Sequence, residues 1–212
     1  MNRSAVIPAV MLTAALSSIL APARGAAAQD SPLDQKVRRF LESRRGSWHD
    51  LNVPWQDGQL LHDLIVKHRF TKALEIGTST GHSTVWIAWA LAKTGGRLVT
   101  IEIDPERHAQ AVENLREAGL EGIVDARLGD AHELVKQLPG PFDFAFSDAD
   151  KDWYTQYFKD VDPKFLKGGC FTAHNVNGGG GGAEFLAYVR TLPSYETRVE
   201  GSRTGVSISC KR

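Results

Sequence analysis

The sequence predicts an α/β protein: a doubly wound, seven-stranded, mostly parallel sheet that ends in an antiparallel C-terminal hairpin. Three observations carry this expectation. From residue 31 onward, short apolar segments of strand length alternate with amphipathic segments of helical period, the pattern of a parallel sheet covered on both faces. The first strand-like segment runs into a glycine turn and a helix start at residues 74–83 (LEIGTSTGHS). The last two strand-like segments are joined only by residues 201–204, too short a link for a crossover and so an antiparallel turn. The chain's 212 residues are enough for one such domain, expected over residues 31–212.

Residues 1–28 read differently from the rest. Arg3 is the lone early charge, residues 5–20 are mainly apolar, and residues 21–28 are rich in small side chains, ending in Ala26-Ala27-Ala28. Basic, apolar and small-residue zones in that order are an export signal, with cleavage near Gln29 and a periplasmic or secreted product. Pro8 and the interspersed Ser and Thr make the stretch a poor spanning helix, so the mature chain is expected to hold no membrane segment. The alternatives are an uncleaved anchor or an over-extended start, the latter leaving the protein in the cytoplasm.

The remaining elements follow in order. Residues 31–44 and 57–68 read as amphipathic helices, separated by a loop with Trp48, Pro54 and Trp55. The basic residues Lys36, Arg38, Arg39, Arg44 and Arg45 fall on a helix interrupted by Val37, Phe40 and Leu41, a solvated face rather than a binding patch. Residues 73–76 form a strand closed by Gly77, 82–93 a helix, and 98–103 a second strand. Asp104-Pro105-Glu106 starts the next helix, with Asp as cap, Pro in the first turn and Glu at the positive end; it stops near Gly119. Strand 123–128, helix 131–138, strand 142–147, helix 152–160 and strand 169–173 continue the alternation, followed by helix 183–191 and strands 195–200 and 204–210. Gly178 to Gly182 are five consecutive glycines, read as a mobile flap or a slack connector.

Acidic and basic residues balance at 25 each, so no broad field favours nucleic acid or an acidic membrane. In doubly wound sheets ligands bind at the carboxyl ends of strands, near the point where strand order reverses. There Gly77 lets backbone approach a ligand, and the first amides of the following helix can receive an anion. Glu102, at the end of the second strand, is placed to accept both ribose hydroxyls of an adenosine. The turn lacks the middle glycine of G-x-G-x-x-G, which dinucleotide sites use to admit a pyrophosphate. An adenosine bearing an amino-acid carboxylate and a sulfonium fits better. Asp130 is placed either to reach the adenine or to cap the next helix.

In their order and spacing, Gln56-Asp57-Gly58-Gln59-Leu60-Leu61, LEIGTSTGHST, VTIEIDPE, GDA and FDFAFSDADKDWY resemble the catechol and caffeoyl-CoA O-methyltransferase family, over nearly all of the chain from about residue 45. The resemblance implies a class I S-adenosylmethionine-dependent O-methyltransferase with a Rossmann-like fold, acting on a small aromatic hydroxyl compound. It implies a cofactor pocket lined by Glu75, Gly77, Thr78, Ser83, Glu102, Ala131 and Asp150, with a backbone contact from Val53; the residue reading adds Gly81 in the turn and Asp130. A homodimer is compatible with the family.

The resemblance also implies that Asp148 is a metal ligand and Lys151 the catalytic lysine. Phenols are mostly protonated at neutral pH, with pKa about 10. A divalent cation on the oxygens eases deprotonation and orients them, and a lysine beside it can take the proton. The family carries adjacent Asp and Asn at the end of the fifth strand; this chain has His174 and Asn175. Three readings stay open: Asp148, His174 and Asn175 hold a cation that tolerates imidazole; His174 is itself the general base without metal; or the site binds cofactor without turnover. A non-catalytic S-adenosylmethionine-binding protein and a nicotinamide oxidoreductase are the rival functions. Of the other histidines, His49 beside Asp50 is the best active-site candidate, whereas His62, His68, His108 and His132 read as helix-surface residues. Trp48, Trp55 and Trp153 can wall an aromatic pocket or pack the core. In the family's fold the fifth and last strands are antiparallel neighbours, which brings Cys170 near Cys210 as a disulfide or as two buried thiols. Export and this cofactor pull against each other, since S-adenosylmethionine is made in the cytosol.

Overall fold

A computed structural model describes Met1 and residues 30–49 and 51–212; the expected export signal and Asp50 lie outside the described residues. Two helices, α1 (Pro32–Ser43) and α2 (Trp55–His68), precede β1 (Lys72–Ile76), α3 (His82–Thr94), β2 (Arg97–Glu102) and α4 (Pro105–Ala118). Then come β3 (Val124–Leu128), α5 (Ala131–Gln137), β4 (Phe142–Ser147), α6 (Tyr154–Val161) and β5 (Phe165–His174). The last three elements are α7 (Gly180–Arg190), β6 (Tyr195–Glu200) and β7 (Val206–Lys211). The strands form one sheet in the order β3-β2-β1-β4-β5-β7-β6, parallel except for β7, which is antiparallel to both neighbours. This is the predicted α/β architecture, hairpin included.

Local chemistry explains the boundaries. Ser31 caps α1, its hydroxyl accepting from the Asp34 amide while Asp34 reaches back to the Ser31 amide. Asp104 caps α4 through Oδ1, which accepts from the amides of Glu106 and Arg107 at 2.8 and 3.0 Å. Helix α2 begins at Trp55, two residues before expectation, because the Pro54 carbonyl already accepts from the amides of Asp57 and Gly58. Strand β5 is longer than the expected 169–173: it begins at Phe165, which pairs with Phe142 ahead of Gly168 and Gly169. Ile103, expected within the second strand, lies beyond it and is 66% exposed.

The glycine run is neither flap nor slack connector in its second half: Gly180, Gly181 and Gly182 form the first turn of α7. A Cβ on Gly181 would lie 2.2 Å from the Lys151 carbonyl oxygen, so only glycine lets α7 seat against the loop after β4. Packing selects the helix here, despite the poor intrinsic propensity of glycine.

The sheet separates two apolar layers. Phe144, Phe146 and Ile208 pack with α1–α4 through Val37, Leu61, Ile65, Trp86 and Leu115. Leu74, Ile76, Ile101 and Ala145 pack with α5–α7 through Val135, Tyr154, Phe158 and Phe185. The alternation along β1 and β4 follows from the two-residue period of a strand. The basic residues of α1 sit on its exposed side, as expected of a solvated face. Among the described residues no helix is long and apolar enough to cross a membrane.

Cys170 and Cys210 are opposite each other on β5 and β7 and are joined as a disulfide, closing a loop with a sequence separation of 40. A crosslink over a loop of that length restricts the unfolded chain by roughly 2–4 kcal/mol. Denaturant unfolding of Cys210→Ser is therefore expected to show a loss of about that size, matched in the wild type by adding reductant; an unchanged midpoint in both would refute the crosslink's role.

Candidate active site

The sheet's strand order reverses between β1 and β4, and the site lies above their carboxyl ends. Gly77 follows β1 with φ +96°, a left-handed conformation suited to glycine. A Cβ there would meet the Asp148 carbonyl carbon and oxygen at 2.9 Å, so the turn can touch the end of β4 only without a side chain. The amides of Gly77 and Thr78 donate to the Ile101 carbonyl, and the Asp148 amide to the Ile76 carbonyl, locking three strand ends together.

Two glutamates brace this turn differently. Glu75 is fully buried beneath it and accepts from the hydroxyls of Ser83, Thr84 and Thr100, each at 2.6 Å. Burial pushes its carboxyl up to about 7, against the opposing pull of those hydroxyls. Glu102 accepts from the Ser79 amide at 2.7 Å and from the Asp104 amide at 2.9 Å. Its oxygens keep lone pairs for a ligand, and it lines a cavity of about 480 Å³.

Gly77, Thr78, Ser83, Glu102, Asp130 and Ala131 line one end of that cavity, and Asp148, Asp150, Lys151, His174 and Asn175 also contribute to its wall. The structure thus brings most of the candidate residues into one space. Val53, Glu75 and Gly81 lie outside the lining: Val53 is buried and its carbonyl accepts from His82 Nδ1, Glu75 is sealed below the turn, and Gly81 caps α3. Asp130 does cap α5, accepting from the His132 amide at 2.9 Å, while also facing the cavity.

The histidine expectations need correction. His49 is exposed and not part of the wall. His132 is part of it, stacked on Tyr157 and edge-on to Trp153, because α5 is short and its first turn faces the strand ends. His82 is a buried core histidine: Nδ1 donates to the Val53 carbonyl, Nε2 accepts from Trp86, and burial lowers it to about 4. Trp48 stacks on His82 and Trp55 packs edge-on against Trp86, so both serve packing. Asn52, Arg107 and Thr204 also line the cavity without having been expected there; they sit on loops and helix ends whose approach depends on tertiary packing.

At the reaction end, Lys151 Nζ donates to Asp148 Oδ1 at 3.2 Å, and the Tyr154 hydroxyl to the same oxygen at 3.4 Å. His174 Nδ1 lies 3.0 Å from Asp148 Oδ2, and its Nε2 lies 2.9 Å from Asp57 Oδ2. Asp57 is completely buried on α2 and also accepts from the Ser202 amide and hydroxyl. It belongs to the Gln56-Asp57-Gly58 motif, but its role is not legible there because its partner is 117 residues away. Burial alone would lower His174; bonds to Asp148 and Asp57 instead push it up to about 9. Burial would likewise raise Asp57, and His174 and Ser202 hold it below its usual value.

These donors do not fit the expected divalent cation. Both ring nitrogens of His174 are committed to carboxylates, so neither presents a lone pair. Both Asp148 oxygens already accept from cationic or hydroxyl donors. Among the described residues no group of three or more His, Cys, Asp or Glu is arranged to hold a metal. The expected role of His174 as a neutral base meets the same obstacle.

A model of the family described as O-methyltransferase matches residues 24–184. The chain belongs to that family. It is 42% identical over 113 residues to a catechol O-methyltransferase of Niastella koreensis, covering 51% of each chain. It is 36% identical over 147 residues to a catechol O-methyltransferase of Mycobacterium tuberculosis, covering 66% of each. The aligned segments thus span about half to two-thirds of these relatives' length. The fold is similar to that of an O-methyltransferase from Bacillus cereus solved in complex with SAH, with TM-score 0.72 and 25% identity over 84% of this chain and 91% of that one. It also resembles the O-methyltransferase TomG of Streptomyces achromogenes, solved in complex with SAM, with TM-score 0.69 and 26% identity over 86% and 91% of the two chains.

The state of Glu75 gives a measurable pH dependence. Its folded value, about 7, is above its ordinary 4.5, so the stability it contributes is complete below the ordinary value and is lost as pH rises through the folded one. Glu75→Gln is therefore expected to gain stability relative to wild type between about pH 5 and about pH 8, on the order of 2–3 kcal/mol. Paired denaturant titrations check this, and a difference that does not vary with pH would contradict it.

Proposed function

We propose that this chain transfers the methyl group of S-adenosylmethionine to a hydroxyl of a small aromatic acceptor. The observation that carries the reading is a single cavity joining two chemistries. A glycine-floored turn with the braced carboxylate of Glu102 suits the nucleoside, and Lys151 on Asp148 lines the same space. The SAH and SAM in the named neighbours, and the catechol activity in the relatives' names, support the same choice.

In this reading Glu102 binds the ribose, and Asp130 with Ala131 flanks the adenine. The backbone at Gly77 and Thr78 receives the amino-acid portion, where the helix start favours its carboxylate. Asp150 and Asp148 supply negative charge on the side where the sulfonium must lie. The acceptor oxygen attacks the methyl carbon as the carbon–sulfur bond breaks and its electrons return to sulfur, leaving a neutral thioether. Lys151 takes the hydroxyl proton. Positioning of the two reactants accounts for a large part of the rate.

We also propose that residues 1–28 direct export and that the working chain is the part after them. The Cys170–Cys210 disulfide supports this, since such bonds persist outside the reducing cytosol.

Turnover of S-adenosylmethionine with a panel of phenols tests the first proposal. Lys151→Met is expected to lower kcat by roughly 10²–10⁴ while SAH affinity stays within about threefold. Undiminished kcat in the variant would remove Lys151 from the chemistry, and no methylated product from any phenol would remove the activity itself.

A further inference from the structure

We infer that the ion triad Asp57–His174–Asp148 takes the place of a divalent cation in this chain, so that methyl transfer here needs no metal. A carboxylate can only accept hydrogen bonds, so an imidazole held between two carboxylates donates from both nitrogens and carries a positive charge. The two contacts, 3.0 Å to Asp148 and 2.9 Å to Asp57, are those of charge-assisted bonds, and the imidazole is almost wholly buried, with its side chain 5% exposed. Thr204 Oγ1, at 3.4 Å from Nε2, is a further polar neighbour of the ring, more distant than the Asp57 carboxylate at 2.9 Å.

The positive charge of the cation is replaced in this chain, not lost. In the expected arrangement a cation would be balanced by Asp148 and a second carboxylate at position 174. Here the carboxylate comes from α2 instead, as Asp57, and the cation is the side chain of position 174 itself. Asp57 is a positioning residue: it is completely buried, it reaches the cavity only through His174, and Ser202 fixes it through both its amide and its hydroxyl at 2.6 and 2.7 Å. With Lys151 on the other Asp148 oxygen, the cluster holds two carboxylates and one imidazolium, and it becomes balanced without any added ion when Lys151 takes the acceptor's proton.

A consequence for the acceptor follows. A metal rewards two adjacent hydroxyls, because both can bind it. An imidazolium whose two N–H groups are already spent offers no second site for an oxygen. The acceptor is therefore selected for one hydroxyl within reach of Lys151, and a vicinal pair brings no special advantage. This part and the absence of a metal requirement for transfer rest on the proposed O-methyltransferase activity; the replacement of a bound cation by the His174 triad does not.

The decisive experiment is a titration of the wild-type chain with Mn²⁺, followed by electron paramagnetic resonance, with and without SAH. The expected result is no stoichiometric capture of Mn²⁺. Wild-type chain that binds one Mn²⁺ at its own concentration overturns the inference. The double variant Asp57→Asn/His174→Asp rebuilds the missing carboxylate and removes its competitor, and is expected to capture one Mn²⁺ per chain. If that variant still binds SAH yet ignores Mn²⁺, the assignment of the cation's place to position 174 is wrong; if it does not fold, the wild-type titration decides alone. In turnover assays, chelation by EDTA is expected to change the wild-type rate by less than about twofold, and a monohydroxy phenol to be methylated within about tenfold of its vicinal-diol analogue. Loss of turnover on chelation, restored by Mg²⁺ or Mn²⁺, overturns the inference. Absence of turnover with every acceptor would instead overturn the proposed function, and the Mn²⁺ titration would still decide the metal question.

Discussion

The constraint on which the site depends is a backbone contact. Where β1 and β4 part, the Gly77 turn lies so close to the Asp148 carbonyl that a methyl group has no room. That approach places the ends of three strands within one crevice and sets the distance between the nucleoside end, at Glu102, and the reaction end, at Asp148 and Lys151. The hydroxyl cradle of Glu75 supports the turn from below, and the amide bonds of Glu102 tie it to the start of α4. A parallel sheet provides the crevice in general; this contact gives it a floor at one point.

Four ionisable side chains, two glutamates and two histidines, illustrate how environment decides role. Glu75 is sealed in with hydroxyls for company and is raised by burial. Glu102 meets backbone amides and stays at the cavity wall. His174 is buried too, yet two carboxylates overcome the effect of burial and make it a cation, whereas His82, buried against a carbonyl and an indole, remains neutral. Residue type alone predicts none of these differences.

What could be read in the sequence was what is local. The alternation of strands and helices, the Asp104 cap, the glycine after β1 and the acidic ends of β2 and β4 all depend on neighbours within a few residues, and each has its counterpart in the structure. Asp57 could not be assigned, because its partners His174 and Ser202 are more than a hundred residues distant and lie on the far side of the sheet order. His132 was misplaced on a helix surface for a similar reason: that surface faces Trp153 and Tyr157 across the crevice. The glycine run misled because low helix propensity was weighed without the packing of α7 against Lys151. The role of His174 could not be read from sequence on the same ground as that of Asp57, since only the folded chain shows which atoms its ring already serves.

The proposed export would part this chain from the compartment where S-adenosylmethionine is made, so affinity for the nucleoside is the property on which the whole account stands. Calorimetric titration of the purified chain with SAH, with NADH in parallel, measures it directly. The account requires saturable one-to-one binding of SAH and none of NADH. A folded sample that gives no heat with SAH, or that binds NADH in its place, contradicts it.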